Sequence, residues 1–169
     1  NDCLYRCGLH EGLAEGETEI LGQPRGSGPR QILMLKDGNL ACVNELDGML
    51  RVLDTTGEIK ASEPAGGEAD VQNWPGGACM DRKGRLYVCN RGPNTLSAWQ
   101  WDGVCLSKEK EWGTGDWPRH IAVLSGTGHV AAACMRSHEV IGYDCRSEIP
   151  GEAFRLPLAG ASCVLELGE

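Results

Sequence analysis

The chain has 169 residues, 24 acidic and 16 basic side chains and a formal net charge of -8, with a pI near 5.0. That acidity argues against nucleic acid as a partner, because a phosphate backbone needs a basic face. No apolar run approaches the ~20 residues that cross a bilayer, so the length suits one domain with a single core and no membrane span.

In chain order, the opening stretch DCLYRCGLHEGLAEGETEIL reads as the two outer strands of a repeat, because it matches the end of the repeat seen later in EVIGYDCRSEIPGEAFRLPL. Three copies of a longer unit follow, starting at Pro29, Pro75 and Pro118, 46 and then 43 residues apart. Each copy holds an apolar run, a turn (Asp37-Gly38, Lys83-Gly84, Thr127-Gly128), a second apolar run, a polar loop and two more runs. Four short runs per ~45 residues is the pattern of an antiparallel propeller blade. In the second copy the strands are expected at about 77–80, 85–89, 95–101 and 106–112.

The expected fold is therefore all-β, a β-propeller of four-stranded blades. Its parts are an outer half-blade at 1–22, full blades at 29–70, 75–112 and 118–158, and a closing strand at 161–167 (ASCVLEL). Such an incomplete arc leaves end blades uncovered, so self-association is expected of the chain made alone.

Three of the nine cysteines, Cys42, Cys89 and Cys134, fall in apolar runs of successive copies and read as small buried hydrophobes. No CxxC occurs, and no histidine stands at zinc-finger spacing from Cys3 and Cys7. The reading includes no metal and no cofactor. An odd cysteine count without a disulfide framework points to a reducing compartment, most simply the cytoplasm.

In a blade meander the segment entering the first strand and the loop after the second strand share one face near the axis. Arg30 and Arg119 come from strand starts; Asn44, Glu45, Asn90 and Arg91 come from the loops, as does the stretch from Arg136 to His138. They converge on one mouth, where a propeller binds small ligands. Arginines there suit an anionic substrate, and Glu45 suits a base toward water or an orienter of a hydroxyl. Packing could also explain an arginine after the proline, but the second copy has Gly76 in that place. On this comparison the repeat tolerates the loss of the arginine, so blade geometry alone does not explain Arg30 and Arg119. Arg30, Glu45 and Arg91 are the expected catalytic residues, and Arg119, His120, Asn44 and Asn90 the expected substrate-binding residues. His10, His129 and Arg136 are read as solvent or turn residues.

The segments SGPRQILMLKDGNLACVNELDGMLRVLD, LYVCNRGPNTLSAW, GTGDWPRHIAV and ASCVLEL resemble the propeller-type lactonase family, which includes 6-phosphogluconolactonases and carboxymuconate cyclases. The resemblance implies a seven-bladed parent about twice as long, of which this chain matches the carboxyl-terminal half, about three and a half blades. It implies hydrolysis of a sugar-acid lactone, 6-phosphoglucono-1,5-lactone in the pentose phosphate pathway, with Arg30, Glu45 and Arg91 matching active-site positions of the cyclase branch. It also implies an active-site histidine in a PHxH-like segment upstream of Asn1, so this chain alone is expected to be an inactive part of an enzyme or one half of a split propeller. The alternatives are a metal-dependent gluconolactonase-type propeller, which MDRKGRLYVCNRG also resembles, and a non-catalytic binding scaffold.

Overall fold

A computed structural model describes residues 2–68, 70–147 and 150–167. Among these there is no helix, and hence none long and apolar enough to cross a membrane. Strands β1 (Cys3–His10) and β2 (Leu13–Gly22) form a two-stranded sheet. The first four-stranded sheet runs β3 (Pro29–Met34), β4 (Leu40–Asn44), β5 (Met49–Leu53) and β6 (Ile59–Pro64). The second holds β7 (Trp74–Met80), β8 (Leu86–Arg91), β9 (Thr95–Trp101) and β10 (Leu106–Gly113). The third holds β11 (Pro118–Leu124), β12 (His129–Cys134), β13 (Glu139–Asp144) and β14 (Gly151–Pro157). Every pairing is antiparallel between sequence neighbours, so each four-stranded sheet is a meander of the propeller-blade type.

The second and third strands of each blade are apolar on both faces because neighbouring blades cover both. Ala41 and Val43 face Leu86, Val88, Trp99 and Trp101 in one core. Tyr87, Cys89 and Leu96 face Ile121, Val130 and Ala132 in the next. Each fully buried Leu or Ile in these layers contributes roughly 1.5–3 kcal/mol. The outermost strands β6 and β14 are largely exposed, and their side chains are correspondingly polar or mixed.

Cys42, Cys89 and Cys134 are fully buried. Burial pushes the Cys42 thiol up to about 11 and the Cys89 thiol up to about 12, so neither is a nucleophile at neutral pH. The ladders correct their supposed equivalence. Pro29 pairs with Asn44, Pro75 with Asn90 and Pro118 with Cys134, so Cys134 stands in the asparagine position. Cys42 instead faces Leu4 and Leu21 of the two-stranded sheet.

The three innermost strands lie side by side along the axis. Near the start of each, the register breaks just after the leading proline, between Pro29 and Gln31, between Pro75 and Ala78, and between Pro118 and His120. Such a bulge re-aims the unpaired residue away from the ladder. Gln31 then reaches sideways: its amide donates to the Ala78 carbonyl at 2.7 Å and its carbonyl accepts from the Ala78 amide at 2.8 Å, as a strand would.

His120 holds the same register position and accepts the Val164 amide on Nδ1 at 3.4 Å. Residues 161–167 thus lie beside β11 much as β7 lies beside β3. They carry no ladder of their own and are not a strand here, because no second strand flanks them. Ala161 and Val164 cover Ala131 and Ala133, while the Glu166 carboxylate accepts from the Ser125 amide at 2.8 Å and from its hydroxyl.

Candidate functional site

The bulges and the loops after the second strands meet at one end, opposite the Gly turns. In the first blade the bulge residue is Arg30, and the residue after the loop asparagine is Glu45. In the second these are Gly76 and Arg91, and in the third Arg119 and Met135. Arg30 Nη1 donates to Glu45 Oε2 at 2.5 Å, and Arg91 Nη2 reaches Glu45 Oε1 at 2.7 Å. One carboxylate therefore clamps two guanidiniums from two blades.

Backbone contacts fix both arginines. Arg30 Nε donates to the Gly76 carbonyl. Arg91 is buried; its Nε donates to the Trp74 carbonyl at 2.8 Å and its Nη2 to that of Pro75 at 3.3 Å. Partial burial works to raise the Glu45 pKa, but the hydrogen bonds and charges of Arg91 and Arg30 outweigh it and hold the carboxyl below its ordinary value. Glu45 is a carboxylate at neutral pH and a weak base while both arginines hold it.

Gly76 corrects the comparison between copies. A β carbon there would lie 2.7 Å from the Pro118 carbonyl oxygen and 2.9 Å from that of Arg119. The second copy lacks an arginine because the neighbouring backbone leaves no room for one. It does not lack one because the position is free to vary. Arg30 has a structural bond as well as an exposed charge, so packing and function are not separable by counting copies.

The expected substrate-binding residues divide. Asn44 and Asn90 are fully buried and do not reach the mouth. Asn44 Nδ2 closes its loop onto the Met49 carbonyl at 3.3 Å. Asn90 accepts from Asn73 Nδ2 at 2.9 Å and donates to Ser97 Oγ at 3.2 Å. Directly before Glu45 and Arg91 in the chain, both side chains are engaged in these internal bonds.

His120 is half-buried; burial pushes its pKa down, with the nearby Arg30 charge acting in the same direction. Its Nδ1 already serves as an acceptor. Arg119 is exposed at the rim, and among the described residues its Nη1 meets the weak acceptor Met135 Sδ at 3.7 Å.

Trp74 and Trp117 join the site without having been expected there, and Arg136, placed at the mouth by the repeat but read as a solvent or turn residue, joins them. The guanidinium of Arg136 lies 3.5 Å from the Trp117 ring centroid, and that of Arg91 lies 5.5 Å from it. Trp74 tilts against Trp117 with centroids 5.8 Å apart. Trp117 has φ +59°, a left-handed backbone that costs a bulky residue on the order of 1–3 kcal/mol. Its amide donates to Asn94 Oδ1 at 2.9 Å and its carbonyl accepts from the Met135 amide at 3.1 Å, which hold it in place. The available signal was a Trp-Pro pair opening two of the three copies.

A concavity of about 820 Å³ lies further out between the first two blades. Asp47, Glu63, Glu68 and Asp70 line it against Lys108, a charge balance that repels anions. Among the described residues no three His, Cys, Asp or Glu side chains are grouped to hold a metal ion. What the arginine cluster can do is bind an anion, or stabilise negative charge that develops on an oxygen.

The sequence matches the family model described as lactonase, 7-bladed beta-propeller, over residues 2–149. No curated protein matches the chain. Among solved structures, a candidate 6-phosphogluconolactonase from Bacteroides fragilis NCTC 9343 superposes with TM-score 0.81 at 18% identity, covering 96% of this chain and 51% of that one. Another, from Bacteroides uniformis ATCC 8492, gives 0.83 at 19%, covering 96% and 50%. The periplasmic gluconolactonase of Pseudomonas aeruginosa gives 0.74 at 23%, covering 85% and 43%. At these identities the likeness is one of fold, and the chain spans about half the length of these structures. On the family match, the chain belongs to the lactonase family of seven-bladed β-propellers.

Proposed function

We propose that this chain supplies one wall of a lactone hydrolase site, with 6-phosphoglucono-1,5-lactone as substrate. The observation that carries the reading is the Arg30–Glu45–Arg91 cluster, two guanidiniums held at the mouth by one carboxylate. Water adds to the lactone carbonyl carbon, the carbonyl oxygen becomes an oxyanion, and the ring C–O bond then breaks. The ring oxygen leaves as a hydroxyl after taking up a proton, and the acid product loses a proton to solvent. Arg30 and Arg91 stabilise the oxyanion and the product carboxylate. Glu45, with its depressed pKa, acts chiefly by fixing the spacing of the two arginines and by orienting water.

The exposed apolar side chains Tyr5, Leu9, Leu13 and Ile20 of the two-stranded sheet support association with further propeller blades. The cytoplasm stays the proposed compartment.

The test is hydrolysis of the lactone by the intact protein carrying Glu45→Ala or Arg30→Ala. Each variant should lose most of the rate while melting cooperatively. Wild-type rates in both would overturn the assignment.

A further inference from the structure

On the lactone-hydrolase reading, one question is how a terminal phosphate would be distinguished from a plain hydroxyl. The arginines that clamp Glu45 are occupied; two others at the same mouth are not. Arg136 is exposed, and its guanidinium carbon lies over the Trp117 ring, 3.5 Å from the centroid. Among the described residues no carboxylate pairs with Arg136 or Arg119. The nearby carboxylates are engaged elsewhere: Asp116 accepts from Asn94 Nδ2 at 3.0 Å, and Glu139 pairs with Arg155.

Stacking uses the face of a guanidinium and leaves its N–H edge free, the edge that fits two oxygens of a phosphate. A left-handed backbone at Trp117, held by Asn94 and Met135, is strain spent on placing that ring. Both guanidiniums lie by the same ring, so their carbons are no further apart than the sum of their distances to its centroid. A six-carbon lactone with a terminal phosphate can bridge that span.

We infer that Trp117 and Arg136, with the unpaired Arg119 beside them, form a subsite for a phosphate monoester on the substrate, distinct from the Arg30–Glu45–Arg91 cluster that handles the carbonyl. Arg136 is the specificity-determining contact, and Trp117 is a positioning residue that acts through it. Two free positive charges match a phosphate dianion better than a single carboxylate.

Calorimetric binding of 6-phosphogluconate and of gluconate to the intact protein tests the subsite apart from catalysis. Wild type should prefer 6-phosphogluconate by about thirtyfold or more. Arg136→Gln should weaken 6-phosphogluconate about tenfold or more and gluconate less than twofold, with Arg136→Lys intermediate. Trp117→Asn, which tolerates the left-handed backbone, should follow Arg136→Gln. Should that variant not fold, Arg136→Gln decides alone.

Arg146→Gln, at the opposite end and paired with Asp144, is the control and should change neither affinity. In turnover, Arg136→Gln should raise KM for the phosphorylated lactone far more than it lowers kcat. Equal wild-type affinities for the two ligands, an unchanged affinity for 6-phosphogluconate in Arg136→Gln, or equal loss of both ligands would each overturn the subsite. Phosphate preference without lactone hydrolysis would overturn the hydrolase reading and leave the subsite standing.

Discussion

The rim of the first two blades and the rim of the third use the same backbone device with opposite electrostatic results. In the first pair, the bulge and loop positions carry Arg30, Glu45 and Arg91, and two positive charges are tied to one negative. In the third, the same positions carry Arg119 and Met135, with Arg136 next along the chain, and among the described residues no carboxylate pairs with either arginine. The difference shows how a repeat builds an asymmetric site. The same backbone position is filled once by a clamp of paired charges and once by the residues proposed above as an anion receptor.

The largest way to break this contrast is to remove the side chain that belongs to both rims. Arg91→Ala unpairs one oxygen of Glu45 and takes a guanidinium from beside Trp117. Lactone hydrolysis by the intact protein should fall by about 10²–10³-fold in steady-state assays, as for loss of an oxyanion donor.

Next comes Gly76→Ala, which drives a methyl group into the Pro118 and Arg119 carbonyls. It should destabilise by about 1–3 kcal/mol, read as a lower urea midpoint, and should separate the two rims. Asn90→Ala should cost about 1–2 kcal/mol in the same experiment, because Asn73 and Ser97 lose a buried partner. Cys134→Ala at the equivalent place has fewer polar partners to orphan and should cost less.

Smaller effects separate the clamp from the receptor by charge. Glu45→Gln should cost under about 1 kcal/mol at pH 7, as partly exposed pairs do. Because the folded pKa of Glu45 is depressed, its contribution is present above the ordinary carboxylate value and is lost as pH falls through the folded one. The mutant's stability should therefore fall less steeply than wild type's between pH 5 and 3.

The smallest effect expected is from Met135→Glu, which puts a carboxylate between Arg119 and Arg136. It should stabilise by no more than about 0.5 kcal/mol and turn the third rim into a second clamp, seen as weaker 6-phosphogluconate binding. Tighter phosphate binding in that variant would contradict the contrast.

Much of this was readable from the sequence for a physical reason. A blade repeats its turns and its apolar runs, so the prolines and Gly turns marked the strands. Three of four expected starts in the second copy fall within a residue of the observed ones, at Leu86, Thr95 and Leu106. The fourth, at Trp74, begins three residues early because the bulged entry strand pairs again before Pro75. Phase also put Arg30, Glu45 and Arg91 at one mouth.

Depth was not readable. Asn44 and Asn90 adjoin the rim in sequence, but alternation turns them inward. Gly76 resembled a dispensable arginine because an approach between strands over forty residues apart leaves no local mark. Arg136 looked like a turn residue because its partner, Trp117, is reached across a ladder and not along the chain.

The register break after each leading proline has a consequence for how such a mouth can change. A residue lifted out of the ladder gives up no cross-strand bond when it is exchanged. Chemistry at the opening can then be rewritten one blade at a time while the sheets beneath keep their hydrogen bonds. The limit is set by spacing between neighbours: where two inner strands approach as closely as at Gly76, that socket stays empty and the end of the second strand must supply the side chain, as Arg91 does.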